Sequence, residues 1–420
     1  MYKKLYALDL VNKTLIYLTI FFLLTNCSFD KKKESFDPNK KPILEKKSIK
    51  VTELNSDLKV KIKNKIERQE FVNQFKNTKI YKFKKIEQIE NYQLNIQHLN
   101  DGGLIFFDGK GSIFRLDDNL KELWKINFYN KKEIKLNPKL YFNINKNFLI
   151  VADSISKIFV VDIDNGNLIW MKESNSPFNS NIIVKDSNFF VLDFKNNLKC
   201  FEIRNGNEIW NFQSEDTFIK SQKKLSLILH NEILYFNNNI GDLTAINSND
   251  GSLIWQTPTQ DSTIYLNSFS LKISELIFSK NNIYFSNNYG EFFSIDSVSG
   301  IINWTQSIKS VFKPINLENI VITFTEDGYM YIIEEVSGNI IRITNIFKNL
   351  KNKNKLKIND FKFSEGKIVA SLNDSNLLAI DIETGSASRM KIKSVSKQSY
   401  PSFKNQNLYL LSNNNIIKTY

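Results

Sequence analysis

The 420-residue chain is poor in the residue types that build metal sites, disulfide frameworks and phosphate-binding loops: it has two His, two Cys, 14 Gly and seven Pro. Two His and two Cys are too few for a zinc finger, a His/Cys metal cluster or a disulfide scaffold. So little Gly and Pro excludes collagen-like and low-complexity linker chains. Aromatic residues are plentiful, with 33 Phe, 16 Tyr and five Trp, which argues against disorder and supplies a sizeable core.

The formal net charge of +13 is concentrated near the N-terminus. Residues 1–70 hold 16 Lys and Arg against nine Asp and Glu, whereas residues 71–420 hold 41 against 35. The surplus in the second range is spread thinly and forms no basic stripe dense enough for a nucleic-acid groove. The sequence therefore predicts no nucleic-acid partner.

The N-terminus has the pattern of an export signal. A basic start precedes an apolar run over residues 15–24, which suits a signal-peptide core and is short for a membrane span. Leu24-Thr25-Asn26-Cys27 is similar to the bacterial lipobox, although Asn26 stands where Gly or Ala is usual. We expect residues 1–26 to be a lipoprotein signal peptide and Cys27 to be lipidated; an ordinary secretory signal or a short anchor is the alternative.

Residues 27–70 carry many like charges, few aromatics and two prolines, which indicates a charged, flexible tether. Attraction of this tether to anionic lipid headgroups is a further interpretation. Because Ser28 rather than Asp follows Cys27, a lipidated chain would be sorted to the outer membrane of a Gram-negative cell. We therefore expect a lipid-anchored protein that faces the periplasm.

One unit recurs along the rest of the chain. A typical copy has an apolar run, a tight turn, an alternating strand, a polar turn closed by Gly, and a strand that ends in Trp. The Gly stands four residues before Trp in four copies and four before Arg in two others. The glycines at this slot are Gly166, Gly206, Gly251, Gly300, Gly338 and Gly385. The tryptophans are Trp124, Trp170, Trp210, Trp255 and Trp304.

The repeat length predicts the fold. Successive glycines of the slot are 38 to 49 residues apart, which leaves room for a fourth strand, and four antiparallel strands per unit are typical of a propeller blade. We predict an all-β fold, a single eight-bladed β-propeller over residues 71–420. The last copy stops after two strands, and residues 80–84 are predicted to complete that blade, so that N- and C-terminal strands pair and close the ring.

Most side chains that could carry chemistry have a structural interpretation. The tryptophans are expected to pack between adjacent blades, and the acidic residues four before each Gly to brace turns. His98 and His230 lie blades apart without a metal-ligand constellation. Cys200 occupies a slot where other copies have Ala or Ser, and it has no disulfide partner if Cys27 is lipidated. All glycines fall at turns, which leaves none for a P-loop or dinucleotide motif. We predict no metal, no cofactor and no catalytic residue.

The motif Asp-x-x-x-Gly-x-x-x-Trp, as in Asp162, Gly166 and Trp170, resembles the PQQ-like propeller repeat. With the lipobox, the single propeller and the incomplete last unit, the chain resembles the BamB family of lipoproteins, which belong to the machinery that folds β-barrels into the outer membrane. The resemblance implies a non-catalytic scaffold, a monomer within a complex. It would bind a BamA-like outer-membrane barrel assembly protein, with unfolded outer-membrane proteins as further partners, and aid their folding and insertion.

The resemblance also implies that two loops between blades contact the partner. The equivalent connections here are residues 215–220 and 262–267, of which the second lacks the acidic pair usual in the family. The contact residues so implied are Phe218, Ile219, Lys220, Tyr265 and Asn267. The alternative is that both segments are ordinary inter-blade strands.

Two other functions use the same repeat. A PQQ-dependent dehydrogenase needs a catalytic Asp, Ca²⁺ ligands and usually a vicinal Cys-Cys pair, which this sequence lacks. A periplasmic propeller that binds a polysaccharide or a cell-wall protein is the other alternative. The sequence favours the scaffold over both.

Overall fold

The computed structural model describes the residues that form the propeller. The ranges are 51–55, 60, 77–82, 96–215, 221, 223–259, 271–364, 366–390, 392, 400–411 and 415–419. Apart from Val51, all of them belong to the unit Thr52–Tyr420. Regular structure in these ranges is almost entirely strand, beside the one-turn helix α1 (Lys131–Ile134) and a 3-10 turn at Lys353–Lys355. No helix in them is long and apolar enough to span a membrane.

Among the described residues, the strands form eight antiparallel sheets of four strands, one of which carries a fifth, and this confirms the predicted eight-bladed propeller. Blade 1 has β3 (Gln97–His98), β4 (Leu104–Phe107), β5 (Ser112–Leu116) and β6 (Glu122–Asn127). Blade 2 has β7 (Leu140–Asn145), β8 (Phe148–Asp153), β9 (Lys157–Asp162) and β10 (Leu168–Glu173). Blade 3 has β11 (Ile183–Lys185), β12 (Asn188–Leu192), β13 (Asn197–Glu202) and β14 (Glu208–Gln213). Blade 4 has β15 (Leu227–His230), β16 (Ile233–Asn237), β17 (Leu243–Asn247) and β18 (Leu253–Thr257).

The second half of the ring repeats the pattern. Blade 5 has β19 (Ile277–Ser279), β20 (Asn282–Ser286), β21 (Phe292–Asp296) and β22 (Ile302–Gln306). Blade 6 has β23 (Ile315–Leu317), β24 (Ile320–Phe324), β25 (Tyr329–Glu334) and β26 (Ile340–Asn345), with β1 (Leu54–Asn55) as its fifth strand. Blade 7 has β27 (Ile358–Ser364), β28 (Lys367–Leu372), β29 (Leu377–Asp381) and β30 (Ala387–Met390). Blade 8 has β31 (Tyr400–Lys404), β32 (Asn407–Leu411), β33 (Asn415–Thr419) and β2 (Thr78–Lys82).

The first strand of a blade is its innermost, because first strands of neighbouring blades contact one another, as β11 does β15. This strand lies in the segment between two repeat units, where the repeat length had left room for a fourth strand. It is as short as three residues in β11 and β19. The Trp-bearing strand was predicted to end at Trp, but β10 continues from Trp170 to Glu173.

The hydrophobic core lies between neighbouring blades. The second and third strands are buried along nearly their whole length, as in β4 and β9, which explains their continuous apolar runs. The fourth strand alternates between exposed and half-buried residues, as in β14, because it forms the rim. One buried cluster, which includes Val191, joins blade 3 to blade 2, and another cluster joins blade 3 to blade 4. Each blade is thus stabilised by both neighbours.

An N-terminal strand and the C-terminal strands meet in blade 8. Strand β2 pairs antiparallel with β33, with Tyr81 opposite Ile416, which confirms the predicted closure of the ring. The C-terminal part supplies three strands of this blade rather than the two predicted, and β2 supplies the outermost. Lys418 of β33 also reaches blade 1, where its Nζ lies 2.6 Å from Asp118 Oδ1.

Strand β1 lies on the outer edge of blade 6. It pairs antiparallel with β26, with Leu54 opposite Ile343. Beside it, Glu53 Oε2 lies 2.7 Å from Lys348 Nζ, and the hydrogen bond from Lys348 holds the pKa of Glu53 below its usual value. The prediction of a tether over residues 27–70 did not include this strand, because two residues carry no periodic pattern.

Candidate functional site

The repeat tryptophans join each blade to the next. The indole N–H of Trp170 in blade 2 donates to Ile203 O in blade 3 at 2.7 Å. Three other repeat tryptophans donate the same indole hydrogen bond to the next blade, at 2.9 to 3.1 Å: Trp124 to Ile163 O, Trp255 to Ser297 O and Trp304 to Glu335 O. Trp210 is the exception, since its indole N–H has no acceptor among the described residues.

A glycine of the following blade lies against each of these rings. Gly206 has a φ of +69°, and a Cβ built on it would lie 2.7 Å from the Trp170 ring. Glycine is needed here both for the left-handed backbone and for the close approach of the indole. The remaining pairs are Gly166 with Trp124, Gly251 with Trp210, Gly300 with Trp255 and Gly338 with Trp304.

Two arginines that replace the repeat Trp behave differently. The guanidinium of Arg342 in blade 6 donates to Ile382 O and Glu383 O in blade 7. It thus replaces the hydrogen bond that the indole makes to the next blade elsewhere in the ring. The glycine that follows, Gly385, faces Thr344 instead of a ring. Arg389 of blade 7 instead contacts Asp374 within its own blade, at 3.7 Å.

The acidic residues four before each repeat Gly, the histidines and Cys200 have structural roles. Asp296 Oδ1 accepts the Ser299 N–H at 2.7 Å and so braces its turn. His98 Nε2 lies 2.7 Å from Ser402 Oγ, and burial lowers its pKa to about 4. His230 stacks on Phe278, and Cys200 is fully buried, which raises the thiol pKa to about 12. In the described ranges no three His, Cys, Asp or Glu side chains gather as a metal site would require.

The five implied contact residues and Cys27 lie outside the described residues, but the structure places both ends of the two loops. We call residues 214–226 loop 3–4 and residues 258–276 loop 4–5. Loop 3–4 joins β14 to β15 and loop 4–5 joins β18 to β19, so that each leads from an outermost to an innermost strand. Because the strands are antiparallel, both loops emerge on the same face, on either side of blade 4.

A buried turn of blade 4 lies between the two loops. This turn, residues 237–242, is called the asparagine turn, and it joins β16 to β17. Asn239 is fully buried, and its Oδ1 accepts the Ser221 N–H of loop 3–4 at 2.9 Å. Its Nδ2 donates to Phe194 O and Asn196 Oδ1 of blade 3, at 2.9 and 2.6 Å. The end of loop 3–4 is thereby fixed to blades 3 and 4.

The other side of the asparagine turn holds loop 4–5. Thr259 Oγ1 donates to Gly241 O at 2.7 Å, where loop 4–5 begins. Where both loops end, Lys224 Nζ lies 3.0 Å from Glu275 Oε1 and joins one loop to the other. This turn was not predicted from the sequence, since Asn residues followed closely by Gly are typical of any exposed turn.

Replacing Asn239 by Ala is expected to lower the free energy of unfolding by about 1–3 kcal/mol, because the Ser221 N–H and the Phe194 carbonyl lose a buried partner. Denaturant unfolding measures this. Asn249→Ala is the control: Asn249 is exposed in the other turn of blade 4, and its loss should change stability by no more than about 0.5 kcal/mol. Equal effects of the two changes would contradict the role given to the asparagine turn.

Comparison with known proteins gives one family match and several solved structures of similar fold. Residues 109–344 match the family described as outer membrane protein assembly factor BamB. Among solved structures, BamB from Moraxella catarrhalis superposes with a TM-score of 0.62 at 15% identity, over 81% of this chain and 100% of that chain. Sqt1 from Saccharomyces cerevisiae gives 0.59 at 10% identity, over 80% and 97%. The computationally designed Ika8 protein gives 0.59 at 13%, over 80% and 99%. These identities show the fold alone, and no protein of curated function matches the sequence.

Proposed function

The chain belongs to the BamB family of outer membrane protein assembly factors, and from this membership we propose that it is a non-catalytic scaffold in the assembly of outer-membrane β-barrels. The family match over residues 109–344, which spans blades 1 to 6, is the observation that carries the proposal. We propose further that Cys27 anchors the protein to the outer membrane from the periplasmic side, and that it acts as a monomer within a complex.

Loops 3–4 and 4–5 are the proposed contact surface for a BamA-like barrel protein. Their described ends are held at one spacing by the asparagine turn and by the ion pair between Lys224 and Glu275. A partner that touches both loops would meet ends that are already ordered, which lowers the entropy cost of binding. The proposed contact residues are Phe218, Ile219 and Lys220 on loop 3–4 and Tyr265 and Asn267 on loop 4–5.

Affinity capture from crosslinked, detergent-solubilised envelope should recover a large outer-membrane barrel protein, whose purified periplasmic domain is then titrated against the propeller. Ile219→Asp is expected to weaken this binding at least tenfold, because an apolar contact would have to bury a charge. Isothermal titration calorimetry measures the loss.

Val336→Asp is the matched control. Val336 is 79% exposed, in the turn between β25 and β26, on the face opposite to the two loops, so its change should leave the affinity as it is. Capture that recovers no barrel protein would overturn the proposed function. Equal losses for Ile219→Asp and Val336→Asp would overturn the proposed contact surface only.

A further inference from the structure

Six charged side chains meet at the centre of the ring. They come from blades 4 to 7 and are Lys223, Lys224, Glu275, Lys313, Asp360 and Lys362. Lys223 lies just before the innermost strand of blade 4, yet it interacts electrostatically with Asp360 and Lys362 on the innermost strand of blade 7. Since blades 4 and 7 are not neighbours, these side chains face one another across the central channel. We call the six residues the channel cluster.

Glu275 is the centre of the channel cluster. Its carboxylate lies 3.0 Å from Lys224 Nζ and 3.8 Å from Lys313 Nζ. Lys224 first, with Lys313 and Lys223, holds the pKa of Glu275 far below its usual value in spite of burial. Asp360, the other carboxylate of the channel cluster, lies 3.1 Å from Lys362 Nζ.

The channel cluster holds more positive than negative charge, with four ammonium groups and two carboxylates. Lys223 is the least compensated of them, since its Nζ has one acceptor among the described residues, Val311 O. Burial, and repulsion by Lys224 and Lys362, lower the pKa of Lys223 to about 8. Lys223 is half-buried, and a partly desolvated ammonium with no carboxylate in hydrogen-bond contact favours an anion at this position.

We propose that the channel cluster binds a small phosphate-bearing molecule. Two negative charges on one compact group would balance the surplus of two lysines. All four cations are lysines, which bind the oxygens of a tetrahedral phosphate as point charges, whereas a planar carboxylate is best matched by the fork of arginine. A small molecule is the size of ligand that a propeller channel admits, as distinct from the macromolecular partner proposed for the loops.

A purely structural role of the channel cluster, in which the ion pairs tie blades 4 to 7 together, makes a different prediction. In the proposed site, Glu275 competes with the ligand for Lys224 and Lys313. Removing its charge by Glu275→Gln should therefore tighten phosphate binding, even though it removes two ion pairs. A structural network would only lose stability from the same change.

Calorimetric titration with inorganic phosphate and pyrophosphate, at constant ionic strength, tests the proposal on the full propeller. We expect saturable binding of one molecule, at least tenfold weaker in Lys223→Met and severalfold tighter in Glu275→Gln. Lys313→Met, at a side chain that is 56% exposed, should also weaken binding and decides the test if Lys223→Met does not fold. Lys132→Met, on the surface of α1, is the control and should bind as the unchanged protein does.

Succinate provides the carboxylate arm of the experiment and should bind at least tenfold more weakly than pyrophosphate. Absence of saturable phosphate or pyrophosphate binding would overturn the proposal, as would weaker binding by Glu275→Gln. Succinate that binds as tightly as pyrophosphate would overturn the phosphate assignment. Lys224 and Glu275 also join the ends of the two loops, but phosphate binding is measured without the barrel protein, so failure of the phosphate proposal leaves the loop surface to its own test.

Discussion

Replacing either Ile416 or Ile417 by Ala should lower the free energy of unfolding by about 2–5 kcal/mol, because both side chains are fully buried in the strand that closes the ring. Adjacent residues of a strand point to opposite faces. Ile416 accordingly packs in the cluster that joins blade 8 to blade 1, and Ile417 in the cluster that joins blade 8 to blade 7. One short strand thus completes two interfaces.

Because the two side chains belong to different clusters, their effects should be nearly additive. The double variant would lose about 4–10 kcal/mol, which is comparable to the whole stability of an ordinary domain, about 5–15 kcal/mol. Urea unfolding followed by Trp fluorescence measures all three variants. Ile80→Ala is the control: Ile80 pairs with Ile417 across β2 and β33 but is 38% exposed, so its loss should cost no more than about 1 kcal/mol. A cost as large as that of Ile417→Ala would contradict this account.

Gly206→Ala is expected to destabilise the propeller by about 2–4 kcal/mol, from the left-handed backbone and from the overpacked contact with Trp170 together. Gly290→Ala separates the two causes. Gly290 has a φ of +108°, but an added Cβ would have no atom within 4 Å, so only the backbone cost of about 1–2 kcal/mol remains. Thermal or urea unfolding of the two variants gives the contribution of the Trp contact as their difference.

A second substitution checks the cause. In Trp170→Leu the large ring is absent, and Gly206→Ala in that background should cost about as little as Gly290→Ala. The coupling between positions 170 and 206 should then exceed about 0.5 kcal/mol, as it does for residues in contact. Independent, additive effects would show that the ring does not restrict the glycine slot.

The fold could be predicted from the sequence because the repeat carries it. Gly166 and its equivalents mark one turn per blade, and the apolar runs of the buried strands, such as β8, lie at a fixed distance before them. The innermost strands were harder, because a three-residue strand such as β19 is too short to show an alternating pattern. Strand β1 was also too short to be recognised, and its partner on blade 6 lies nearly 300 residues away along the chain.

The candidate sites could be predicted only in part. The two loops followed from the family resemblance, but the asparagine turn that holds their ends is stabilised by contacts between blades 3 and 4, which no local pattern reports. The same holds for the channel cluster. Lys223, Glu275 and Asp360 stand in three different repeats, and only closure of the ring brings them together.

The pairing of β2 with β33 also sets the order in which the protein can fold. A chain that is made from its N-terminus presents β2 long before its partner emerges, and contacts between residues so far apart form slowly. Blades 1 to 7 can form locally in sequence, whereas the last blade must wait for the final strand. Until then the nascent chain keeps an open strand edge at each end, the state most exposed to aggregation. Completion of synthesis and completion of the fold thus become one event.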